Sequence, residues 1–590
     1  MTEADANTIW ARTFVDELAR SGVNTVCLAP GSRSTPLVLA AAGHPAIRVV
    51  THVDERSAAF LALGVGKGTR CPAAVITTSG TAAANLFPAV IEASQGGVPL
   101  LLLTADRPHR LRDADANQAI DQLRLYGPYV RRFFEMAPPS GDEDSLRHLR
   151  TVAARAVAAT GGPTPGPVHL NFPFAKPLEP AAGHAMEGHE GLAGQPDGLP
   201  SVEIVRTESP PPEGAVHRVA GLIQRSTRGL IVAGPHPEPW RVGPAAVELA
   251  AAAGLPLLAD PLSGARFGPT HGAVVVGAYD LFLQDPELRG NVEPDLIVRL
   301  GATPTSAALG RLIEESGGAT QVVVDGDHRW KDHMAVASLY VEADPGLFAA
   351  DLAAQVRRSD PAWRGRWARA EEVARKAVRD AGSDEPLSEA GVLAGVAEHV
   401  PEHGTLFVSN SMPVRDLDAF GAPREQAMRA LGNRGASGID GIVSTALGLS
   451  LGDSSPVVAV LGDLAFIHDM NGLLATREQG VRTVFVVIHN DGGGIFHMLP
   501  IRRFEPEFTA HFAAPHGLDF RHTAALYDLP YRRVDTLREL GDAVTEALLR
   551  PGSSIVEVRT DREENRFHRQ AASRRVAEAV TIALNQEETA

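Results

Sequence analysis

Cysteine is nearly missing from these 590 residues: only Cys27 and Cys71 occur. A disulfide framework or a thiolate zinc site within one chain is therefore excluded, and two lone thiols suit a reducing compartment. Long apolar runs are missing too. No stretch approaches the roughly 18 residues of a spanning helix, so a membrane-embedded chain is not expected. The first residues, MTEADANTIW, lack the basic-then-apolar order of a secretory signal, and a cytoplasmic location is the expectation. Positive charge is outweighed, with 55 basic against 71 acidic residues and a net charge of −16. That balance argues against a nucleic-acid coat, yet a few convergent arginines can still hold small anionic substrates. What is present is core material: 44% of the residues are hydrophobic and 21% charged, which excludes disorder as a class.

The length allows about four domains at roughly 150 residues each, or three larger α/β domains. Short apolar runs alternate with helical patterns. Strands are expected at 25–29, 47–53, 73–77 and 100–104, with helices at 57–65 and 82–93 between them. A strand with proline punctuation closes this block at 165–180. Residues 181–214 read as a Gly/Pro/Glu-rich linker. A second block follows with strands at 229–233, 255–258, 296–300 and 321–325, then a charged helical linker at 361–385. A third block from 386 has strands at 405–409, 457–461, 483–489 and 554–559, and a helix at 469–480. This alternation implies right-handed crossovers and parallel sheets, hence three doubly wound α/β domains spanning 1–180, 215–360 and 386–590. The middle one lacks the G-x-G-x-x-G fingerprint after its first strand, GLIVAGPHP, and reads as structural.

The third block carries the most informative pattern. VVAVLGD ends a strand on Gly462-Asp463, and TVFVVIHNDGGGIF ends another on Asn490-Asp491-Gly492. In an open parallel sheet both ends fall on the edge where ligands bind. Asp463 and Asn490 are two oxygen ligands of the kind a hard cation selects, and glycine turns and helix starts can hold phosphates beside it. Each string alone also fits an ordinary capped turn; the pair on neighbouring strand ends favours a site. GD-x(26)-N resembles the diphosphate and metal signature of the thiamine-diphosphate-dependent enzymes. The resemblance implies that Asp463, Asn490 and the Gly492 carbonyl bind Mg²⁺ or Mn²⁺, with Gly462, Leu464, Ala465 and Ile495 around the cofactor. Leu464 replaces a usual glycine, and Asp491 brings a charge that must be compensated or turned away.

The same resemblance implies a glutamate for the cofactor's pyrimidine N1′, supplied by the first, pyrimidine-binding block of a second subunit. In RVVTHVDERSAAFLALG that residue is Glu55, although Asp54-Glu55 also fits two acids at a helix N-terminus. Ile439, in NRGASGID, matches the bulky residue under the bent cofactor.

Further strings narrow the resemblance: APGSRSTPL (29–37), LTADRP (103–108), ANQAI (116–120), SNSMPVRD (409–416), GNRGASGIDG (432–441) and GGGIFHMLP (492–500). Together they resemble the 2-succinyl-5-enolpyruvyl-6-hydroxy-3-cyclohexene-1-carboxylate synthase family of menaquinone biosynthesis, over the first and third blocks and only weakly in the middle. The family's substrates, 2-oxoglutarate and isochorismate, each carry two carboxylates, which guanidinium groups bind bidentately. Arg33, Arg107, Arg415 and Arg434 all fall in the motif-bearing loops. By resemblance, Ser32, Arg33, Arg107 and Gln118 face isochorismate, Ser411, Arg415 and Arg434 face the 2-oxoglutarate or succinyl end, and Ile495 and Phe496 form an apolar wall. The family's middle-domain basic residue is absent: Ala307 stands there, and Arg311 lies one turn on. The alternatives are another thiamine-diphosphate carboligase or decarboxylase, such as an acetolactate synthase, and a non-catalytic protein on the same fold. The resemblance further implies a homodimer or homotetramer with shared active sites.

Overall fold

The computed structural model describes residues 2–180, 193–205, 210–357, 361–382, 387–453 and 455–588. Of the linker expected at 181–214, residues 181–192 and 206–209 lie outside them. Three six-stranded, all-parallel sheets form the frame. The first comprises β1 (Thr25–Leu28), β2 (Arg48–Thr51), β3 (Ala73–Thr77), β4 (Leu100–Asp106), β5 (Arg132–Glu135) and β6 (Pro167–Pro173), in the order β2-β1-β3-β4-β6-β5. The second comprises β7 (Gly229–Ala233), β8 (Leu257–Ala259), β9 (Val275–Val276), β10 (Leu296–Leu300), β11 (Thr320–Val324) and β12 (Leu339–Val341), ordered β12-β11-β10-β7-β8-β9. The third comprises β13 (Thr405–Val408), β14 (Arg429–Leu431), β15 (Val457–Gly462), β16 (Thr483–His489), β17 (Tyr531–Val534) and β18 (Ser554–Arg559), ordered β14-β13-β15-β16-β18-β17. Central strands such as AAVIT and TVFVVIH are buried at every position, because helices cover both faces of a parallel sheet. Among the described residues no helix is long and apolar enough to cross a membrane.

The chain forms two compact units. One holds Met1–Thr207 with Asn433–Ser454 and His468–Arg482; the other holds Glu208–Gly432, Ser455–Ile467 and Thr483–Ala590. Two pieces of the third block thus join the first sheet. The helix Ile442–Gly452 lies so close to the helix Glu55–Thr69 that a Cβ at Gly64 would sit 2.2 Å from the Thr445 carbonyl, and one at Gly448 2.1 Å from that of Leu61. The preceding loop is fixed by the buried Glu92, which accepts N–H bonds from Gly435 (2.9 Å) and Ala436 (2.7 Å).

Two expected helices differ. The one at 82–93 is split into Thr81–Ala84 and Phe87–Gly96, since Pro88 begins a new helix and cannot continue the old one. The one at 469–480 is a 3₁₀ run, Met470–Arg477, preceded by the helix Asp463–His468. Asp469 is drawn into the helix Ile442–Gly452, accepting from the Ser444 N–H (2.6 Å) and hydroxyl (3.1 Å), and burial pushes its carboxyl up to about 6. Asn471-Gly472 then breaks the α-helical pattern against Ser444, where a Cβ on Gly472 would meet the hydroxyl at 2.4 Å.

In the second unit, the stretch read as a connector is helical over Pro361–Gly382, with 383–386 outside the described residues. Its Trp363 and Trp367 are buried in one core with Leu230, Val232 and Ile297 of the middle sheet and Val576 and Val580 of the C-terminal helix Arg562–Glu588.

Close backbone approach at Gly64 yields a prediction. Gly64→Ala forces a methyl into the Thr445 carbonyl and is expected to destabilise its unit by about 1–3 kcal/mol. The midpoint of the first unfolding transition in denaturant should fall; an unchanged midpoint would show that the two helices separate at no cost.

Candidate active site

β15 and β16 pair in parallel register, Gly462 opposite Ile488, so Asp463 and Asn490 leave the same edge of the sheet. Asp463 is buried, and its two oxygens accept N–H bonds from Leu464 (2.7 Å) and Gly492 (2.9 Å). His516 Nε2 lies 3.3 Å from the same carboxylate, and the rings of His489 and His516 stack at 5.2 Å. Asn490 donates its Nδ2 to Glu389 at 2.7 Å, while its buried Oδ1 has no partner. Beside it the space in front of Gly462 is open: a Cβ there would meet nothing within 4 Å. A carboxylate, an orphaned amide oxygen and the Gly492 carbonyl form a hard-cation donor set, and the open glycine leaves room for a diphosphate. These residues therefore fit a metal-bound thiamine diphosphate. Gly492 itself is confined to glycine, with φ of +139° and a would-be Cβ 2.0 Å from the Ala513 carbonyl.

Asp491, the extra acid, is turned into the following loop. Burial works against its charge, but the N–H groups of Gly517 (2.8 Å) and His516 (3.0 Å) hold its carboxyl below the usual range. Leu464 is half-buried and Ala465 buried in the helix that starts at Asp463. Glu389 is a residue the sequence reading missed. It lies 101 positions before Asn490, is fully buried, and burial followed by the nearby Asp416 pushes its carboxyl up to about 8.

In the other unit Arg33 and Arg107 leave β1 and β4, and both are buried. Arg33 gives Nη1 to the Phe174 carbonyl (2.8 Å), and its Nε has no partner. Burial, then the neighbouring Arg107 charge, lowers its pKa. Arg107 is clamped by two bonds to the Asn117 carbonyl, at 3.1 and 2.6 Å. Gln118, at φ +56°, exchanges bonds with Ser79: its Nε2 donates to the Ser79 carbonyl and the Ser79 hydroxyl to its own carbonyl, both at 3.0 Å. Ser32 is exposed at the start of the 3₁₀ turn Ser32–Ser34. Glu55 opens the helix Glu55–Thr69. The cap is Asp54, whose carboxylate accepts the Arg56 and Ser57 N–H groups, which leaves Glu55 half-buried and in reach only of Asn85 Nδ2 at 3.5 Å among the described residues. Arg434 and Ile439, both half-buried, sit on the loop that Glu92 anchors in this unit.

Back in the second unit, a cavity of about 660 Å³ collects Arg415 and Ile495 with Met412, Leu499, Arg569 and Arg574. Arg415 bonds the Ser411 carbonyl at 2.6 Å across the start of the helix Met412–Phe420, and Ser411 itself has φ of +69°. Phe496 is absent from the cavity's lining and packs edge-on against Phe512 at 5.7 Å. Ala307 lines the cavity; Arg311 does not, but it donates to Oε1 of Gln284, a lining residue, at 2.7 Å. The extra cations, Arg569 and Arg574, come from the C-terminal helix, in a segment whose charge reads as an exposed surface.

Glu389 sets up a pH test. Its unfolded value is near 4.5 and its folded value about 8, so between those limits the folded chain keeps a proton the unfolded chain has lost. Its contribution to stability is full below pH 4.5 and falls as pH rises towards 8. Glu389→Gln cannot ionise, so its stability is expected to depend less on pH across that window. Denaturant titrations of both proteins from pH 5 to 8 with parallel profiles would show that Glu389 ionises normally.

Comparisons with known proteins complete the picture. Models described as the thiamine pyrophosphate enzyme N-terminal TPP binding domain, the middle domain of thiamine pyrophosphate enzymes and the C-terminal TPP binding domain match residues 10–125, 215–408 and 421–558. A solved benzoylformate decarboxylase from Polynucleobacter necessarius shares the fold, with a TM-score of 0.68 and 21% identity over 94% of this chain and 99% of that one. Proteins named 2-succinyl-5-enolpyruvyl-6-hydroxy-3-cyclohexene-1-carboxylate synthase are far more similar in sequence. That of Roseiflexus castenholzii is 45% identical over 96% of this chain and 98% of its own. That of Halobacterium salinarum is 46% identical over 98% and 99%, and that of Haloarcula marismortui 46% over 98% and 100%. With matches of that depth along nearly its whole length, and with the diphosphate edge intact, the chain belongs to the 2-succinyl-5-enolpyruvyl-6-hydroxy-3-cyclohexene-1-carboxylate synthase family of thiamine diphosphate enzymes.

Proposed function

We propose that this enzyme releases CO₂ from 2-oxoglutarate and joins the remaining succinyl unit, in 1,4 fashion, to isochorismate, giving 2-succinyl-5-enolpyruvyl-6-hydroxy-3-cyclohexene-1-carboxylate. Thiamine diphosphate, when bound, supplies the nucleophilic carbon and the electron sink. The observation that carries the substrate reading is the pair of buried guanidiniums, Arg33 and Arg107, with Arg33 Nε left unpartnered. A buried cation in that state is stabilised by an incoming carboxylate.

The chain's residues divide the work. Asp463, Asn490 and the Gly492 carbonyl would hold Mg²⁺ or Mn²⁺ for the cofactor's diphosphate, with Glu389 keeping the Asn490 amide oriented. Glu55 holds and returns a proton at the cofactor's pyrimidine N1′, and Ile439 props the cofactor. Arg33 and Arg107, with Ser32 and Gln118, orient the acceptor's carboxylates. Arg415, Arg434 and Ser411 orient the 2-oxo diacid, while Ile495 and Phe496 keep water from the reacting carbon. Positioning dominates because the cofactor already carries the carbanion chemistry. Glu55 and Asp463 belong to separate compact units, and we place them in one active site by pairing one protomer with its partner in a homodimer or homotetramer. Two unpaired cysteines suit a cytoplasmic enzyme.

The direct test is incubation of the protein with thiamine diphosphate, Mg²⁺, 2-oxoglutarate and isochorismate, with mass analysis of the product. CO₂ and the succinylated adduct are expected; turnover of pyruvate with no isochorismate adduct would point to an acetolactate-type enzyme instead. Arg33→Ala is expected to weaken isochorismate use roughly 10- to 150-fold, the worth of a hydrogen bond to a charged group, while CO₂ release from 2-oxoglutarate continues. Arg415→Ala should impair 2-oxoglutarate. The opposite split would exchange the two carboxylate pockets. Mixing Glu55→Gln chains with Asp463→Ala chains is expected to restore part of the activity. Mixed oligomers that form yet stay inactive would rule out sites shared between subunits.

A further inference from the structure

The 490–492 turn begins where the third sheet lets go of it. β16 and β18 pair as far as His489 opposite Arg559, and the Thr560 N–H closes the ladder on the His489 carbonyl at 3.1 Å. Beyond that point, among the described residues, no backbone N–H bonds the Asn490 or Asp491 carbonyl. Two adjacent carbonyls left bare cost free energy, so a substitute for the missing strand is needed. Arg562, the first residue of the C-terminal helix, supplies it: Nη1 donates to the Asn490 carbonyl at 2.9 Å and to the Asp491 carbonyl. One corner, residues 560–562, thus holds the three carbonyls before Gly492. The Gly492 carbonyl takes only the Gly494 N–H, at 3.0 Å, among the described residues, which leaves it a lone pair for a ligand.

The turn does not keep its shape unaided. Asp491 has φ of +61°, a conformation its Cβ disfavours, and Gly492 follows at +139°. Asp463 grips the Gly492 N–H, and the amides of His516 and Gly517 hold the Asp491 carboxylate. Arg562 holds the same turn by its carbonyls. It does so with an unneutralised charge, since no carboxylate lies within ion-pair distance of it among the described residues. By charge alone a guanidinium there repels a bound cation; by orientation it favours one, and the two effects have opposite signs. Arg562 is half-buried and borders a cavity of about 570 Å³ with Asn490, Asp491 and Glu505, where water can replace a truncated side chain.

We infer that Arg562 is a positioning residue for the metal: it fixes the 490–492 turn in the form that lets the Asn490 amide oxygen and the Gly492 carbonyl serve one cation. This rests on the reading of Asp463, Asn490 and Gly492 as that cation's ligands. Arg562 itself touches neither metal nor substrate and acts through the backbone it braces.

The test reads cation binding rather than turnover. Mn²⁺ is titrated into the full chain with thiamine diphosphate present, and the free ion is followed by EPR against a blank without protein. Arg562→Met, similar in length but with no donor and no charge, is expected to raise the Mn²⁺ Kd roughly tenfold, the lower end for a group acting behind a ligand. Arg562→Gln, neutral but able to donate, should fall between, and serves alone if the Met variant does not fold. Arg562→Lys, which keeps the charge and a donor, should recover part of the loss. In the neutral variants saturating Mn²⁺ should return CO₂ release from 2-oxoglutarate to near the wild-type rate, a split that a general loosening of the fold would not produce. A folded neutral variant that binds Mn²⁺ as tightly as wild type, or more tightly, overturns the inference, as does a loss that saturating Mn²⁺ does not repair. The reading beneath it fails differently: Mn²⁺ binding left unchanged by Asp463→Ala would remove the metal site, and the role of Arg562 with it.

Discussion

The hydrogen bond from Asn490 Nδ2 to Glu389 governs the diphosphate edge, because it decides which end of the amide faces inward. An unrestrained asparagine presents a donor or an acceptor with nearly equal ease, and a cation site needs the acceptor. Glu389 settles the choice from behind. It is buried, and burial followed by the Asp416 charge pushes its carboxyl up to about 8, which lessens the negative charge it adds beside Asp463. A metal bound there, as proposed, would meet one carboxylate and largely neutral oxygens, the balance suited to an ion that must also bind a diphosphate. Gly492, bonded to Asp463 through its N–H and closed in by the Ala513 carbonyl, fixes the third donor by the same logic of crowding.

The first unit is held in register by an absence of side chains. Gly64 and Gly448 bring two helices to backbone contact, and Gly435 approaches the backbone around Glu92, where a Cβ would lie 2.5 Å from the Glu92 carbonyl. These contacts dock 433–454, remote in sequence, beside the helix that Glu55 begins. Positioning by small residues tolerates little, since any added carbon must displace backbone. Glu92 accepts two loop N–H groups, and burial raises its pKa, the loop amides opposing that shift.

How much of this the sequence reveals depends on burial. Strands covered on both faces, such as Ala73–Thr77, Gly229–Ala233 and Thr483–His489, read directly as apolar runs. Edge strands do not: RFFE at β5 and YRRV at β17 alternate with charge and lie half-exposed, so nothing marks them as strands. The run at 469–480 has a helical pattern, but the Asp469–Ser444 contact, 25 residues apart, overrides local propensity. The site divides likewise. Asp463 and Asn490 are legible because strand ends and glycine turns have local signatures. Glu389 is not, because it is placed by the helix Glu389–His399, which packs against Leu537–Leu549, far along the chain.

Arginine chemistry then separates structure from function in a chain with an excess of acids. Arg266, Arg299 and Arg569 each meet an aspartate, Asp418, Asp332 and Asp416 respectively, and such pairs neutralise themselves while fixing one element to another. Arg33 and Arg107 are buried as well, but Phe174 and Asn117 hold them through backbone carbonyls. A carbonyl orients a guanidinium without cancelling its charge, and the unspent charge is what an anionic ligand responds to. Among the described residues neither has a carboxylate within ion-pair distance, and the neighbouring Asp106 is engaged by Arg112 at 3.0 Å and by the Asn171 amide at 2.9 Å. Burying Arg33 beside a second uncompensated cation costs the folded state: burial first, and the Arg107 charge second, lower its pKa. Under the proposed function, carboxylates would relieve that cost, so part of the substrate's binding energy would come from the burial and mutual repulsion of these two arginines.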